Sequence, residues 1–290
     1  MVVRWFWQLI LLVAKVVVFV VDIKDLELRY FCNGFDVPYK VKEGGELNIK
    51  PILVKDYPYY ETAKSILELP KNETDNIEVI KMSYLEFLFN VINTNELYKN
   101  FFIKICELCF NYENIGIIKH KNKHCIALCD EEETVKYIIT PKEFDEISKI
   151  ILNQNDAHYD GRYVNPEVRE LMEQYYKVKY SNTRSPSLEE KKAFITSKTG
   201  IDINTINEMT YRYFDLVYSS SVNNDLYFAQ KMVQCSYKYD VKEDVRHPLF
   251  EPPKDPYAEI FEDTGILGEK GISGADKLNA QNAKMMLENT

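Results

Sequence analysis

Phe144, Ile147, Ile150 and Ile151 recur at three- and four-residue spacing, which gathers them on one face of a helix. Thr140 can cap that helix, Pro141 suits its first position, and Glu143 completes a T-x-x-E capping box. The polar run Asn153-Gln154-Asn155 ends it. Thr140–Asn155 is therefore a predicted helix, and it divides a mixed N-terminal half from a helical C-terminal half.

Upstream, Leu26, Leu28 and Tyr30 alternate with Glu27 and Arg29, the pattern of a half-buried strand. Asn33-Gly34 is a hairpin signal, Val37–Val41 can return, and Gly44-Gly45 turns again before a third short strand through Leu47, Ile49 and Ile52. Helices follow. Asp56 caps one whose face is Tyr59, Ala63, Ile66 and Leu67, with Pro70 closing it. Ile77–Ile92 reads as a single core helix, since Met82–Ile92 is apolar on nearly all sides. Leu97–Phe110 turns Phe101, Phe102, Ile105, Leu108 and Cys109 inward. Ile115–Ile118, a basic turn at Lys119–Lys123 and Cys125–Leu128 predict a hairpin, to which Val135–Ile139 adds a strand.

Beyond Asn155 the pattern is helical. Asn165-Pro166 opens a helix with Val168, Leu171, Met172, Tyr175 and Tyr176 on its face. Ser187-x-x-Glu190 is a second capping box for a helix reaching Lys198, with Gly200 just past its end. Ile203–Val217 is amphipathic through Ile206, Met209, Tyr213, Phe214 and Val217, and Leu226–Tyr239 offers one more helix. From Val241 onward, four prolines (Pro248, Pro252, Pro253, Pro256) interrupt regular structure. Seven acidic residues against two basic ones between Glu243 and Asp263 make this stretch acidic. It is expected to stay mobile until it meets a partner, with a short helix through Leu287.

The expected fold class is α+β and predominantly helical: small antiparallel β elements in the N-terminal half, a compact helical C-terminal half and a flexible acidic tail. The corresponding divisions are an apolar segment at 1–21, a mixed domain at 22–155, a helical domain at 156–240 and the tail at 241–290. Three readings of the first segment stand. Trp5–Val21 is apolar apart from Gln8 and Lys15, at the short end of a membrane-spanning length and with Lys15 near its middle. It is an anchor or signal, a buried segment, or the product of a misassigned start codon lying upstream of a true start at Val20 or Val21.

Composition narrows function by exclusion. Hydrophobic residues at 46% and 21 tyrosines rule out global disorder. A net charge of −9 disfavours nucleic acid, whose phosphates call for clustered Lys and Arg. Six cysteines, Cys32, Cys106, Cys109, Cys125, Cys129 and Cys235, are too sparse for a disulfide scaffold in a chain of 290 residues.

Candidate chemistry is thin. Cys106-x2-Cys109 followed by His120-x3-His124 has the spacing of a two-Cys, two-His metal site. Its thiols, however, fall inside an apolar helix, and Lys119, Lys121 and Lys123 surround its imidazoles. Buried thiols and a solvated basic turn are the plainer reading, and no cofactor is expected. His158 and His247 have no partner fixed by spacing, no nucleophile elbow occurs, and Gly265–Gly274 lacks the Lys-Ser/Thr ending of a phosphate loop. Aromatic stretches remain, Tyr57, Tyr59 and Tyr60 and then Tyr211–Tyr218. They offer more ring surface than small helices bury, and Tyr is favoured at protein–protein contacts.

Leu47–Tyr60, Ile80–Leu88, Ile139–Asn155, Asn165–Val168 and Ile206–Val217 together resemble the tail assembly chaperones of tailed bacteriophages infecting Gram-positive bacteria. The resemblance spans roughly 22–241 and leaves out both the apolar N-terminus and the acidic tail. It implies a non-enzymatic tail morphogenesis factor in the host bacterial cytoplasm, without catalytic residues. Its implied partners are the tape-measure protein and the tail-tube protein, with homo-oligomerisation open, and neither nucleic acid nor membrane among them. A structural component of the tail or baseplate, and a membrane-anchored interaction protein, are the alternatives.

Overall fold

The computed structural model describes residues 22–71, 76–112, 114–160, 166–179 and 184–236. The apolar segment 1–21 and the acidic tail 241–290 lie outside them. Helix predominates, with two small antiparallel sheets in the N-terminal half and helices alone in the C-terminal half. The chain divides into two units. One comprises Met1–Asp160 and Asn204–Leu216, the other Gly161–Ile203 and Val217–Thr290.

The first unit opens with a helix where the alternation of Leu26, Leu28 and Tyr30 predicts a strand. α1 is Ile23–Arg29, with Asp22 accepting from the Lys24 N–H at 3.0 Å and Asp25 pairing with Arg29 at 2.9 Å. Ile23, Leu26 and Tyr30 share the packed face at helical spacing, and Leu28 is 74% exposed. The three- and four-residue period, backed by a cap and an i,i+4 ion pair, prevails over the period of two. Asn33-Gly34 consequently ends a 3-10 turn instead of turning a hairpin.

The hairpin comes next and has two strands, β1 (Val37–Val41) and β2 (Gly45–Ile49), in register from Val37↔Ile49 to Val41↔Gly45. Val37, Tyr39, Val41, Leu47 and Ile49 point into the core. Ile52 lies beyond β2. Gly44 has φ +138, and a Cβ there would stand 2.4 Å from the Lys136 carbonyl oxygen, so only glycine fits this turn. The close approach lets the Ile138 N–H reach the Glu43 carbonyl at 2.9 Å, tying the hairpin to the second sheet.

α2 (Tyr57–Ala63) runs into a 3-10 turn at Lys64–Leu67. The stretch Ile77–Ile92 is two helices, α3 (Ile77–Lys81) and α4 (Tyr84–Thr94). The break is a capping box: Ser83 Oγ accepts from the Glu86 N–H at 3.2 Å and Glu86 Oε2 accepts from the Ser83 N–H at 3.2 Å. Satisfying these end groups locally outweighs extending one helix through Met82. α5 (Glu96–Phe110) buries Phe102, Ile105, Cys106, Cys109 and Phe110, and ends at Asn111 in the left-handed region. β3 (Asn114–His120), β4 (Lys123–Cys129) and β5 (Val135–Ile139) form the second sheet in that order.

α6 (Pro141–Asn155) is the helix around which this core closes. Thr140 and Glu143 make the expected capping box, but Glu143 is buried and does more. Its Oε1 accepts from the Lys42 N–H at 2.9 Å while its Oε2 takes the Thr140 N–H at 2.9 Å. At the other end the polar run is no solvent-side stop. Asn155 and Gln154 are each 2% exposed. Asn155 Oδ1 accepts from the Ile52 N–H at 2.7 Å and its Nδ2 donates to the Ile151 carbonyl at 2.8 Å. Gln154 Nε2 reaches the carbonyls of Phe35 and Ile49 at 3.2 and 3.3 Å. Asn155→Ala strands a buried N–H, so it is expected to lower the unfolding free energy by about 2 kcal/mol, read from the urea midpoint.

The segment 204–216 returns to this unit. α9 is Ile203–Asn207 and α10 is Tyr211–Gln234, so the helix expected over Ile203–Val217 is interrupted, and the one expected from Leu226 is the continuation of α10. At the interruption the chain runs beside residues 52–55: Val54 N–H donates to the Met209 carbonyl at 2.9 Å and Tyr211 N–H to that of Ile52 at 2.7 Å. Backbone pairing takes these residues out of the helix.

The second unit contains α7 (Pro166–Lys179), α8 (Leu188–Thr199) and the later part of α10. Ser187 and Glu190 make their capping box, and Gly200 caps the other end at φ +71. α8 meets α10 through Phe194 against Tyr218, edge to face at 5.6 Å, and Lys198 with Asp225 at 2.6 Å. Ile195 is the fully buried apolar residue among the described residues of this unit.

Candidate functional site

The aromatic stretches singled out in the sequence meet. Pairing of residues 52–55 with 207–211 sets the start of α10 against the start of α2, and the rings of Tyr57 and Tyr211 stack at 3.3 Å with 7° between their planes. The Tyr57 hydroxyl donates to Glu61. Tyr60 packs at 6.3 Å from Tyr57. Beside them lies a cavity of about 100 Å³, walled by Tyr57, Tyr60, Tyr159 and Tyr211.

Its charged lining is Lys64, Glu68, Asp156 and Asp215. Lys64 sits 3.1 Å from Glu61. Burial pushes the phenols of Tyr57, Tyr60 and Tyr159 upward, and that of Tyr211 to about 12, so all four stay neutral at physiological pH. They present rings and hydroxyls but supply neither a base nor an anion.

A second, open groove of about 380 Å³ lies between α4 and the β3–β4 hairpin. Met82, Phe89 and Ile117 give it an apolar floor, with Glu86, Asn90 and His124 at its walls. The His124 ring stands edge-on to Phe89 at 6.1 Å.

The four residues with metal-site spacing are distributed among different surroundings. Cys106 and Cys109 are buried on α5, where burial pushes both thiols upward. Lys121 and Asn122, at φ +47 and +63, make the tight turn between β3 and β4. His120 is therefore opposite Lys123 and His124 opposite Lys119, which sends the two imidazoles to opposite faces of the hairpin. His120 Nε2 lies 3.0 Å from Glu43, which Lys121 also engages. Among the described residues, no three His, Cys, Asp or Glu side chains gather in a way that could hold a metal ion. His158 sits in a turn with its N–H on Asp156, and His247 lies outside the described residues.

The other conspicuous surface is on α10. Leu226, Phe228, Met232 and Val233 are 54, 57, 71 and 46% exposed. Leu226 and Val233, seven apart, share one side of the helix. Phe228 and Met232, four apart, lie about 200° round from Leu226 or a little further. The sequence predicts a helix from Leu226; what it does not reveal is that both sides stay open. Among the described residues, no helix is long and apolar enough to cross a membrane. Compared with known proteins, the chain matches no family model, no curated protein sequence and no solved structure.

Proposed function

We propose that the chain is a non-enzymatic binding protein whose α10 receives an amphipathic segment of a partner protein. The observation that carries this reading is the exposure of Phe228 and Met232, four apart on one side of α10, on a unit that fully buries one apolar side chain, Ile195, among its described residues. Apolar surface left in water forgoes about 25 cal/mol per Å², and a partner helix recovers it. Neutral phenols, protonated buried thiols and imidazoles on opposite faces give no support to a catalytic alternative. The resemblance of Leu47–Tyr60, Ile139–Asn155 and Ile206–Val217 to tail assembly chaperones points to the partner. In this reading it is the phage tape-measure protein, a long helical chain, covered in the host cytoplasm until tail-tube subunits assemble around it.

Co-expression with the neighbouring tape-measure product is the test. The two are expected to co-purify, and the chain is expected to be missing from finished particles by mass spectrometry. Failure to co-purify contradicts the partner. Presence in the particle favours a structural part of the tail or baseplate.

A further inference from the structure

Among the described residues, β3 is an open edge. In the three-stranded sheet β4 lies between β3 and β5, and the β5 side is met by the Glu43 carbonyl, which accepts from the Ile138 N–H at 2.9 Å. The tight turn at Lys121 and Asn122 sets the alternation along β3. His120 and Lys123 are the first hydrogen-bonded pair, and Ile118 with Cys125 and Gly116 with Ala127 repeat it. The N–H and C=O groups of Ile115, Ile117 and Lys119 therefore point away from β4, and no described residue takes them up. Such a row is a template for another strand. The usual defences are missing. β3 runs seven residues without proline, pairs with β4 without a bulge, and of the three outward residues Lys119 alone is charged.

Charge at the two ends of the sheet selects the strand that fits. One end carries the basic turn, where Lys119 and Lys123 are exposed and Lys121 meets Glu43. The other carries the acidic turn, where Asp130 pairs with Lys136 at 3.0 Å and Glu131, Glu132 and Glu133 are exposed. Asn114 Nδ2 donates to the Asp130 carbonyl at 3.1 Å, so this acidic turn stands beside the start of β3. A second β3 laid antiparallel about Ile117 brings the basic turn of each chain to the acidic turn of the other, whereas a parallel one sets like against like. In that register Ile117 faces Ile117 and Ile115 faces Lys119. The outward groups then meet as hydrogen-bonded pairs, each exchanging two bonds. Ile117 is 43% exposed and belongs to the groove with Met82 and Phe89, so its counterpart in the second copy adds to an apolar contact.

We infer that β3 is a self-association edge: two copies of this chain pair antiparallel through residues 115–119, about a two-fold axis at Ile117, and join their sheets into one.

The test is sedimentation equilibrium of the full chain over about 1–200 μM, where a reversible monomer–dimer equilibrium is expected. Ile117→Pro removes an N–H that the single chain does not use, and Ile117→Lys sets two ammonium groups opposite each other across the axis. Each is expected to weaken the dimer at least about tenfold. A urea midpoint near the parent's shows that a variant is folded, and the exposed lysine substitution decides the matter if proline disturbs the strand. Amide exchange followed by NMR reads the register. The N–H groups of Ile115, Ile117 and Lys119 are expected to exchange more slowly as concentration rises, while those of Gly116 and Ile118 do not change. A monomer at every concentration overturns the inference and leaves the edge to a strand of another protein. Dimerisation unchanged in Ile117→Lys, or exchange at the three outward amides that ignores concentration, overturns it as well. Only the one chain enters these measurements, so their outcome is separate from that of the co-expression.

Discussion

Phe144→Ala is expected to lower the unfolding free energy by about 4 kcal/mol. Phe144 is 2% exposed and sits in α6 at the centre of the first unit's core. Its ring lies 6.4 Å from Tyr84 of α4 and 6.2 Å from Phe102 of α5, so truncation opens a void where three helices meet. The removed atoms lose their transfer energy, and their neighbours lose dispersion contacts that a close-packed interior cannot restore by collapsing. Phe144→Leu retains much of the volume and is expected to cost less than half as much. Urea denaturation of both variants gives the comparison. Equal stability of Phe144→Ala and the parent would mean that α6 does not organise the core.

Arg212→Ala comes next in expected size, at about 3 kcal/mol. Arg212 is 7% exposed at the start of α10. Its Nη1 donates to the carbonyls of Asn153 and Asp156 at the C-terminal end of α6, and its Nη2 pairs with Glu27 of α1. The guanidinium also lies 5.6 Å over the Phe31 ring. One planar fork thus holds α1, α6 and the returning segment 204–216 together. Removing it leaves two carbonyls at a helix end without their donor. Glu27 is 43% exposed, so its separation from the arginine adds little to the cost. Arg212→Lys should recover only part of the loss, because a single ammonium cannot cover the fork's directions. Denaturation monitored by circular dichroism reads both variants.

Legibility varied with the range of the interactions. α6 was readable because Thr140, Pro141, Glu143 and the Phe144–Ile151 stripe are all local signals, and Ser187–Glu190 with Gly200 was readable for the same reason. The β3–β4–β5 sheet followed from its turn residues and apolar runs. α1 was misread because Leu26, Leu28 and Tyr30 satisfy a period of two, whereas Asp22 and the Asp25–Arg29 pair support the helical period. The Ser83–Glu86 box was present in the sequence and outweighs the apolar run around it.

What could not be read is tertiary. Gln154 and Asn155 look like a polar helix end, yet they are buried, with the Ile49 carbonyl and the Ile52 N–H as their partners. Tyr57 and Tyr211 each stood out as aromatic surface. Their stacking depends on a backbone pairing between residues 52–55 and 207–211, which neither stretch announces. The spacing of Cys106, Cys109, His120 and His124 was likewise visible. The tight turn at Lys121-Asn122 and the burial of α5 then separate those residues chemically.

The central claim, that exposed apolar residues of α10 bind a partner protein, is tested most directly by one affinity comparison. The full chain and its Phe228→Ser/Met232→Ser double variant are titrated against the tape-measure product in a calorimeter. Both substituted residues are more than half exposed, so the variant should unfold at the same urea concentration as the parent. Binding by the parent with a loss of at least about tenfold in the variant is the predicted result. Equal affinity of the two chains would contradict it.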